Sequence, residues 1–132
     1  MIGLVIITHA RLARELLNAA EFILGKVEQA ATVTVDSSLE AEKLHGRLEA
    51  AIAKVDSGDG VLVLTDMFGG SPNNISLTFL EENQLEVVTG VNLPMLIKAA
   101  TGRRETTLAQ LAHKVCEAGR DAISAAGELL SA

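Results

Sequence analysis

The sequence contains no Trp and no Tyr, and only three Phe. Bases stack on aromatic side chains, so a stacking platform for single-stranded nucleic acid is excluded. Basic residues are also in deficit: 11 Lys and Arg against 17 Asp and Glu leave a formal net charge of −6. Phosphate backbones repel a chain of that sign, so nucleic acid is not an expected partner. The lone Cys116 rules out an internal disulfide and a multi-cysteine zinc site, and points to a reducing compartment. Three dispersed His residues with one Cys form no metal-ligand spacing, so neither a metal nor a cofactor is expected. No apolar run approaches the roughly 20 residues that span a bilayer. Met1-Ile2-Gly3 opens without the basic stretch of a signal peptide. These absences predict a cytoplasmic protein with no integral membrane segment.

What is present fits one hydrophobic core. The chain has 132 residues, 48% of them hydrophobic, which predicts a single domain over residues 1–132. Ile2-Gly3-Leu4-Val5-Ile6-Ile7 is short, apolar and β-branched, as a parallel strand buried on both faces would be. Ala13, Leu16, Leu17, Ala20 and Leu24 then recur at helical spacing, with Gly25 placed to stop the helix. Thr32 to Val35 reads as a half-buried strand. Ser37-Ser38-Leu39-Glu40 predicts a capping box for a helix carrying Leu44, Leu48, Ala51, Ile52 and Val55. Val61 to Thr65 is a second apolar strand. Ser71-Pro72 predicts an N-cap followed by proline at the first helical position, opening a helix that reaches Glu81 or Glu82. Leu85 to Thr89 is a fourth strand. Asn92-Leu93-Pro94 starts a short helix ending near Gly102, and a last long helix starts around Thr107. Alternating strands and helices predict a doubly wound α/β domain with a mainly parallel sheet, order about 2-1-3-4, and helices on both faces.

In such sheets ligands collect beyond the carboxyl ends of the strands, at the switch in strand order. Thr8-His9 follows the first strand and Asp66 follows the third, so in that order His9 and Asp66 face each other across the switch point. A carboxylate that accepts the proton of one ring nitrogen fixes the tautomer and leaves the other nitrogen nucleophilic. Gly69 and Gly70 permit a close approach or an anion nest, and the helix start at Ser71 adds N–H donors. Together they suit a phosphoryl group carried on an imidazole nitrogen. The alternative is that Asp66 only satisfies loop amides and that Gly69-Gly70-Ser71-Pro72 is turn chemistry plus a cap. His45 and His113 fall inside helical patterns and read as solvated or structural. Cys116 reads as helix packing, and Arg103-Arg104 as a solvated helix end.

At these same residues the sequence resembles the EIIA domain of the mannose family of the bacterial sugar phosphotransferase system. Three segments carry the match: Gly3 to His9 with Leu12-Ala13 and Ala19-Ala20-Glu21; Val61 to Asn74; and Gly90-Val91-Asn92-Leu93-Pro94-Met95-Leu96. The resemblance implies that His9 is phosphorylated by the phosphocarrier HPr and passes the group to a IIB-type protein. It implies that Asp66 hydrogen-bonds the active imidazole, that Ser71 lines the pocket, and that Thr8 and Phe68 flank it. It also implies a homodimer, in some members with an exchanged C-terminal strand, and peripheral association with a membrane permease. Ala10 stands where the family usually has Gly, and Ala125-Ala126-Gly127-Glu128 is a poor strand sequence. The chain ends at Ala132 without a IIB domain, so it resembles stand-alone members, including those whose phosphate state regulates a target.

Other classes remain open at this point. One is a regulatory protein-binding module switched by His9 phosphorylation. Another is the phosphotransfer subunit of a dihydroxyacetone kinase, although the Phe68 to Asn74 loop fits the mannose group better. A third is a flavodoxin-like domain that binds a small ligand without covalent chemistry, for which no G-x-G-x-x-G or P-loop is present.

Overall fold

The computed structural model describes residues 1–67, 69–81 and 84–131. Four strands form one parallel sheet: β1 (Gly3–His9), β2 (Ala30–Val35), β3 (Val61–Thr65) and β4 (Leu85–Thr89). Their order is β2-β1-β3-β4, as the sequence predicts. Register runs Leu4 beside Ala30 and Leu62, and Leu62 beside Glu86, without a break. The two strands that read as most apolar are the two central ones. Residues 3–8 of β1 and all of β3 are buried, whereas β2 and β4, at the edges, are mostly half-buried.

Helices cover both faces. Strand residues of even number, Leu4, Ile6, Leu62, Leu64 and Val88, pack under α1 (Leu12–Leu24), α4 (Leu93–Gly102) and α5 (Leu108–Asp121). Odd-numbered Val5, Ile7, Val61, Val63 and Leu85 pack under α2 (Ala41–Val55) and α3 (Ser71–Leu77). The period-2 alternation of side chains thus divides the core into two layers. A last helix, α6 (Ala126–Ser131), buries none of its residues.

The helix ends show where local sequence signals act and where they are overridden. Gly25 closes α1 at φ 81°. Asn92 Oδ1 accepts the Met95 N–H at 3.0 Å to open α4. Thr107 and Gln110 form a complete capping box before α5, each bond 3.2 Å. The capping box expected from Ser37 to Glu40 does not form. The Ser38 N–H and hydroxyl instead bind Asp36 Oδ1 at 3.0 and 2.6 Å, making an Asx turn, and Glu40 occupies the N-cap of α2 without a side-chain bond. At α3 the cap is Gly70, so Ser71 and Pro72 lie inside the first turn, one position on from the expected places. That helix also stops at Leu77, short of Glu81. The N–H groups of Phe79 and Leu80 bond to Ser76 and Leu77 three residues back, the tighter pattern that ends an α-helix.

Arg103 differs most from its sequence reading. It is not solvated: it is 4% exposed, its guanidinium donating to the carbonyls of Ile2, Gln29 and Glu28. Burial, and then neighbouring Arg104, push its pKa down, with Glu28 opposing.

Candidate functional site

β1 and β3 are neighbours, so the loops after them lie side by side at the carboxyl end of the sheet. The structure brings His9 and Asp66 together there. His9 Nδ1 is 2.8 Å from Asp66 Oδ2, and the same oxygen accepts the His9 backbone N–H at 3.1 Å. Asp66 Oδ1 accepts the Met67 N–H at 3.1 Å. The two side chains differ in access: that of His9 is 47% exposed, that of Asp66 only 13%.

Burial raises the Asp66 pKa, as the largest single influence, but the hydrogen bonds from the His9 ring and backbone and the ring's charge together outweigh it. The net effect holds the carboxyl below its ordinary value, so Asp66 is ionised at neutral pH. An ionised carboxylate only accepts hydrogen bonds, so Nδ1 must carry the proton. In the neutral ring Nε2 then holds a free lone pair.

Gly70 lies against the ring. A Cβ built there would meet His9 Cε1 at 2.7 Å and Nε2 at 3.3 Å, so only a residue without a side chain permits this ring position. Gly69 adopts φ 85°, in the left-handed region that glycine enters freely. Ser71 is exposed at the start of α3. Phe68 lies outside the described residues. Thr8 adjoins His9 in the chain but is turned away from it. It is wholly buried, and its hydroxyl accepts the Ala13 N–H at 2.7 Å beneath the start of α1.

Two features of the site go beyond the sequence reading. Ala10, directly after His9, sits at φ 51°, and its N–H donates to Val35 O at 2.8 Å. The signal was present in the sequence as alanine where the resembling family has glycine. Asn73 is buried to 1% exposure, its Oδ1 3.4 Å from Thr65 Oγ1. The other histidines lie elsewhere. His45 stacks on Phe79 with ring centroids 4.4 Å apart, and His113 pairs with Glu117 at 2.7 Å on the surface of α5. Cys116 is half-buried against the layer under α1, α4 and α5. Among the described residues no cluster of three or more His, Cys, Asp or Glu could hold a metal ion, and no helix is long and apolar enough to cross a membrane.

A half-exposed imidazole braced by a mostly buried carboxylate thus stands at the switch point of a parallel sheet, in an α/β domain built around a histidine site. The EIIA-man family model, described as the PTS system fructose IIA component, matches residues 3–116, and the chain belongs to that family. The mannose-specific EIIAB component of Escherichia coli K12 is 36% identical over 126 residues, covering 94% of this chain. The chain spans only 39% of the length of that relative. The fructose-specific EIIA component of Bacillus subtilis is 27% identical, with 87% of this chain and 80% of that protein covered. Among solved structures, a mannose/sorbose specific IIA subunit from Enterococcus faecalis superposes with a TM-score of 0.84 at 30% identity, covering 94% of this chain and 93% of that one. An EIIA component from Streptococcus agalactiae, at 24% identity, shares the fold with a TM-score of 0.88 over 97% of this chain and 99% of that one.

Proposed function

We propose that the protein is a phosphoryl carrier that accepts the group from phospho-HPr on His9 Nε2. It then passes the group to a IIB-type protein or holds it as a regulatory signal. The observation that carries this reading is the 2.8 Å contact between His9 Nδ1 and the mostly buried Asp66, which leaves Nε2 as the free nucleophile. In the transfer, the Nε2 lone pair forms the new N–P bond as the bond from phosphorus to the HPr imidazole breaks. The departing ring keeps its bonding pair, and the proton on His9 Nδ1 stays on the Asp66 hydrogen bond. Positive charge that builds on the His9 ring is stabilised by the carboxylate at that distance. Gly69, Gly70 and Ser71 form the phosphoryl cradle in this reading.

Residues 1–132 act in this reading as one EIIA-type domain in the cytoplasm, associating peripherally with a membrane permease. Homodimerisation belongs to the same proposal. β4 lies at the end of the sheet order, and a bare sheet edge calls for cover. Sedimentation equilibrium at micromolar concentration is expected to give twice the chain mass, and a purely monomeric species would overturn it. The decisive test of the carrier reading is mass spectrometry after incubation with phosphoenolpyruvate, enzyme I and HPr. One acid-labile, base-stable phosphoryl group is expected on the native protein and none on His9→Ala, while His45→Ala and His113→Ala are still modified. Phosphate retained by a folded His9→Ala protein would sink the assignment.

A further inference from the structure

The helix that follows His9 lacks a conventional cap. Arg11 occupies the N-cap of α1 and its side chain makes no capping bond. The acceptor comes instead from Thr8, on the far side of the His9 loop. Even-numbered strand positions face α1, which places the Thr8 side chain under the start of that helix, while His9 falls on the opposite face. The Thr8 hydroxyl accepts the Ala13 N–H at 2.7 Å and donates to His9 O at 3.1 Å. One buried hydroxyl thus ties the strand end to the helix start across residues 9–12. That short span contains Ala10 at φ 51°, a conformation an alanine leaves readily unless its surroundings hold it.

We propose that Thr8 is a positioning residue for phosphoryl transfer. Its hydroxyl clamp keeps the loop in the left-handed turn that aims both the His9 backbone N–H and Nδ1 at the same oxygen of Asp66. Thr8 touches no phosphoryl group, because it has no exposed surface. Loss of the clamp frees Ala10 to relax toward negative φ, which rotates the His9 N–H away from Asp66 and loosens the ring. The effect on transfer rests on the assignment of His9 as phosphoryl acceptor; the effect on ring geometry does not.

Thr8→Val keeps shape and burial and removes only the hydroxyl. Transfer from phospho-HPr is expected to fall about 10- to 100-fold per folded molecule, the scale on which misplaced reacting atoms are felt. Nitrogen NMR of His9 provides a readout that general destabilisation would not move. The native protein is expected to hold the Nδ1–H tautomer, Thr8→Val to mix it with the Nε2–H form, and Thr8→Ser to recover both tautomer and rate to within about twofold of native. Native rate and tautomer in Thr8→Val would overturn the proposal. So would equal slowing by Val and Ser with the tautomer unchanged, which would assign the effect to general packing at position 8 rather than to the hydroxyl. Should Thr8→Val fail to fold, Thr8→Ser keeping the tautomer and Thr8→Ala losing it supports the clamp, and the same tautomer in both defeats it. If His9 proves not to be phosphorylated, the carrier reading fails while the NMR comparison still decides the role of Thr8.

Discussion

The two ends of the sheet solve opposite problems. At the amino end a cation is buried against carbonyl groups: Arg103 ties Ile2 at the start of β1 to Glu28 and Gln29 before β2, from the C-cap of α4. At the carboxyl end an anion is half-hidden beneath an imidazole, and the loop carrying that imidazole contains a strained alanine. The amino end pairs both terminal nitrogens of its buried cation with backbone carbonyls and holds the layers in place. The carboxyl end keeps one nitrogen lone pair unsatisfied. Stability and reactivity thus weigh differently at the two ends, so a substitution at the amino end should move stability and spare transfer, while a change in the His9–Asp66 pair should move transfer most.

The largest effect is expected from Arg103→Met, which fills the space and withdraws the donors from three carbonyl groups. The buried Ile2 carbonyl left without this donor, and the bonds lost at the part-buried Gln29 and Glu28 carbonyls, should together lower unfolding free energy by about 3 kcal/mol. Transfer per folded molecule should stay close to native. Denaturant melts paired with rapid-quench transfer separate the two quantities, and a proportionate loss of rate would dissolve the distinction between the ends.

Asp66→Asn is the converse. It keeps size and polarity but removes the charge, and its amide can offer a donor where Nδ1–H needs an acceptor. A loss of about 2.7 kcal/mol of charge stabilisation corresponds to a roughly hundredfold slower transfer. A pH signature accompanies it. The folded-state pKa of Asp66 is depressed, so its contribution to stability is complete above the unfolded value, about 3.9. That contribution disappears as pH falls through the lower folded value. The stability gap between native protein and Asp66→Asn should therefore narrow below about pH 4. A gap that stays constant from pH 6 to pH 2 would mean that the carboxylate is not held by His9.

The contrast also explains what could be read from the residues alone. β1 and β3 were legible because their apolar runs, buried on both faces, allow no other placement in a parallel sheet. His9 and Asp66 followed from strand order, since the switch point is a property of topology and not of local sequence. Arg103 was illegible because a charged pair after a helix normally faces water, and only tertiary packing brings three carbonyls around one of them. Ser37 and Ser38 carried a valid capping pattern, but the nearer Asp36 captured the Ser38 N–H first. Thr8 was legible as a neighbour of His9 yet not as a clamp, because its partner Ala13 lies across a turn whose shape depends on Ala10.

Gly70→Ala is expected to act more mildly than Asp66→Asn. Its Cβ would stand 2.7 Å from His9 Cε1, but the ring is half-exposed and can swing aside. Stability should change by less than about 1 kcal/mol, whereas transfer should slow roughly tenfold because the ring leaves its carboxylate. Unchanged histidine chemical shifts in Gly70→Ala would show that the close approach has no bearing on the site.

The smallest effect tests the strain itself. Ala10 at φ 51° incurs the clash of its Cβ with the backbone, about 1–2 kcal/mol for an L-residue in the left-handed region. Ala10→Gly removes that clash but loosens the unfolded chain, at a cost of about 0.5–1 kcal/mol. The two terms oppose each other, and the strain is the larger, so a net gain of about 0.5–1 kcal/mol is expected. The loop bonds that surround the position, Ala10 N–H to Val35 O and Ala13 N–H to Thr8 Oγ1, involve no Cβ and should persist in the glycine protein. Transfer should then remain within about twofold of native, because the geometry aimed at Asp66 is kept while its strain is relieved. Rapid-quench transfer by Ala10→Gly alone and combined with Thr8→Val, with thermal melts beside it, gives the sharper measurement. If the Thr8 clamp exists to hold a strained alanine, glycine at position 10 should soften the rate defect of Thr8→Val. Equal defects on both backgrounds would mean that the left-handed turn holds itself without the clamp.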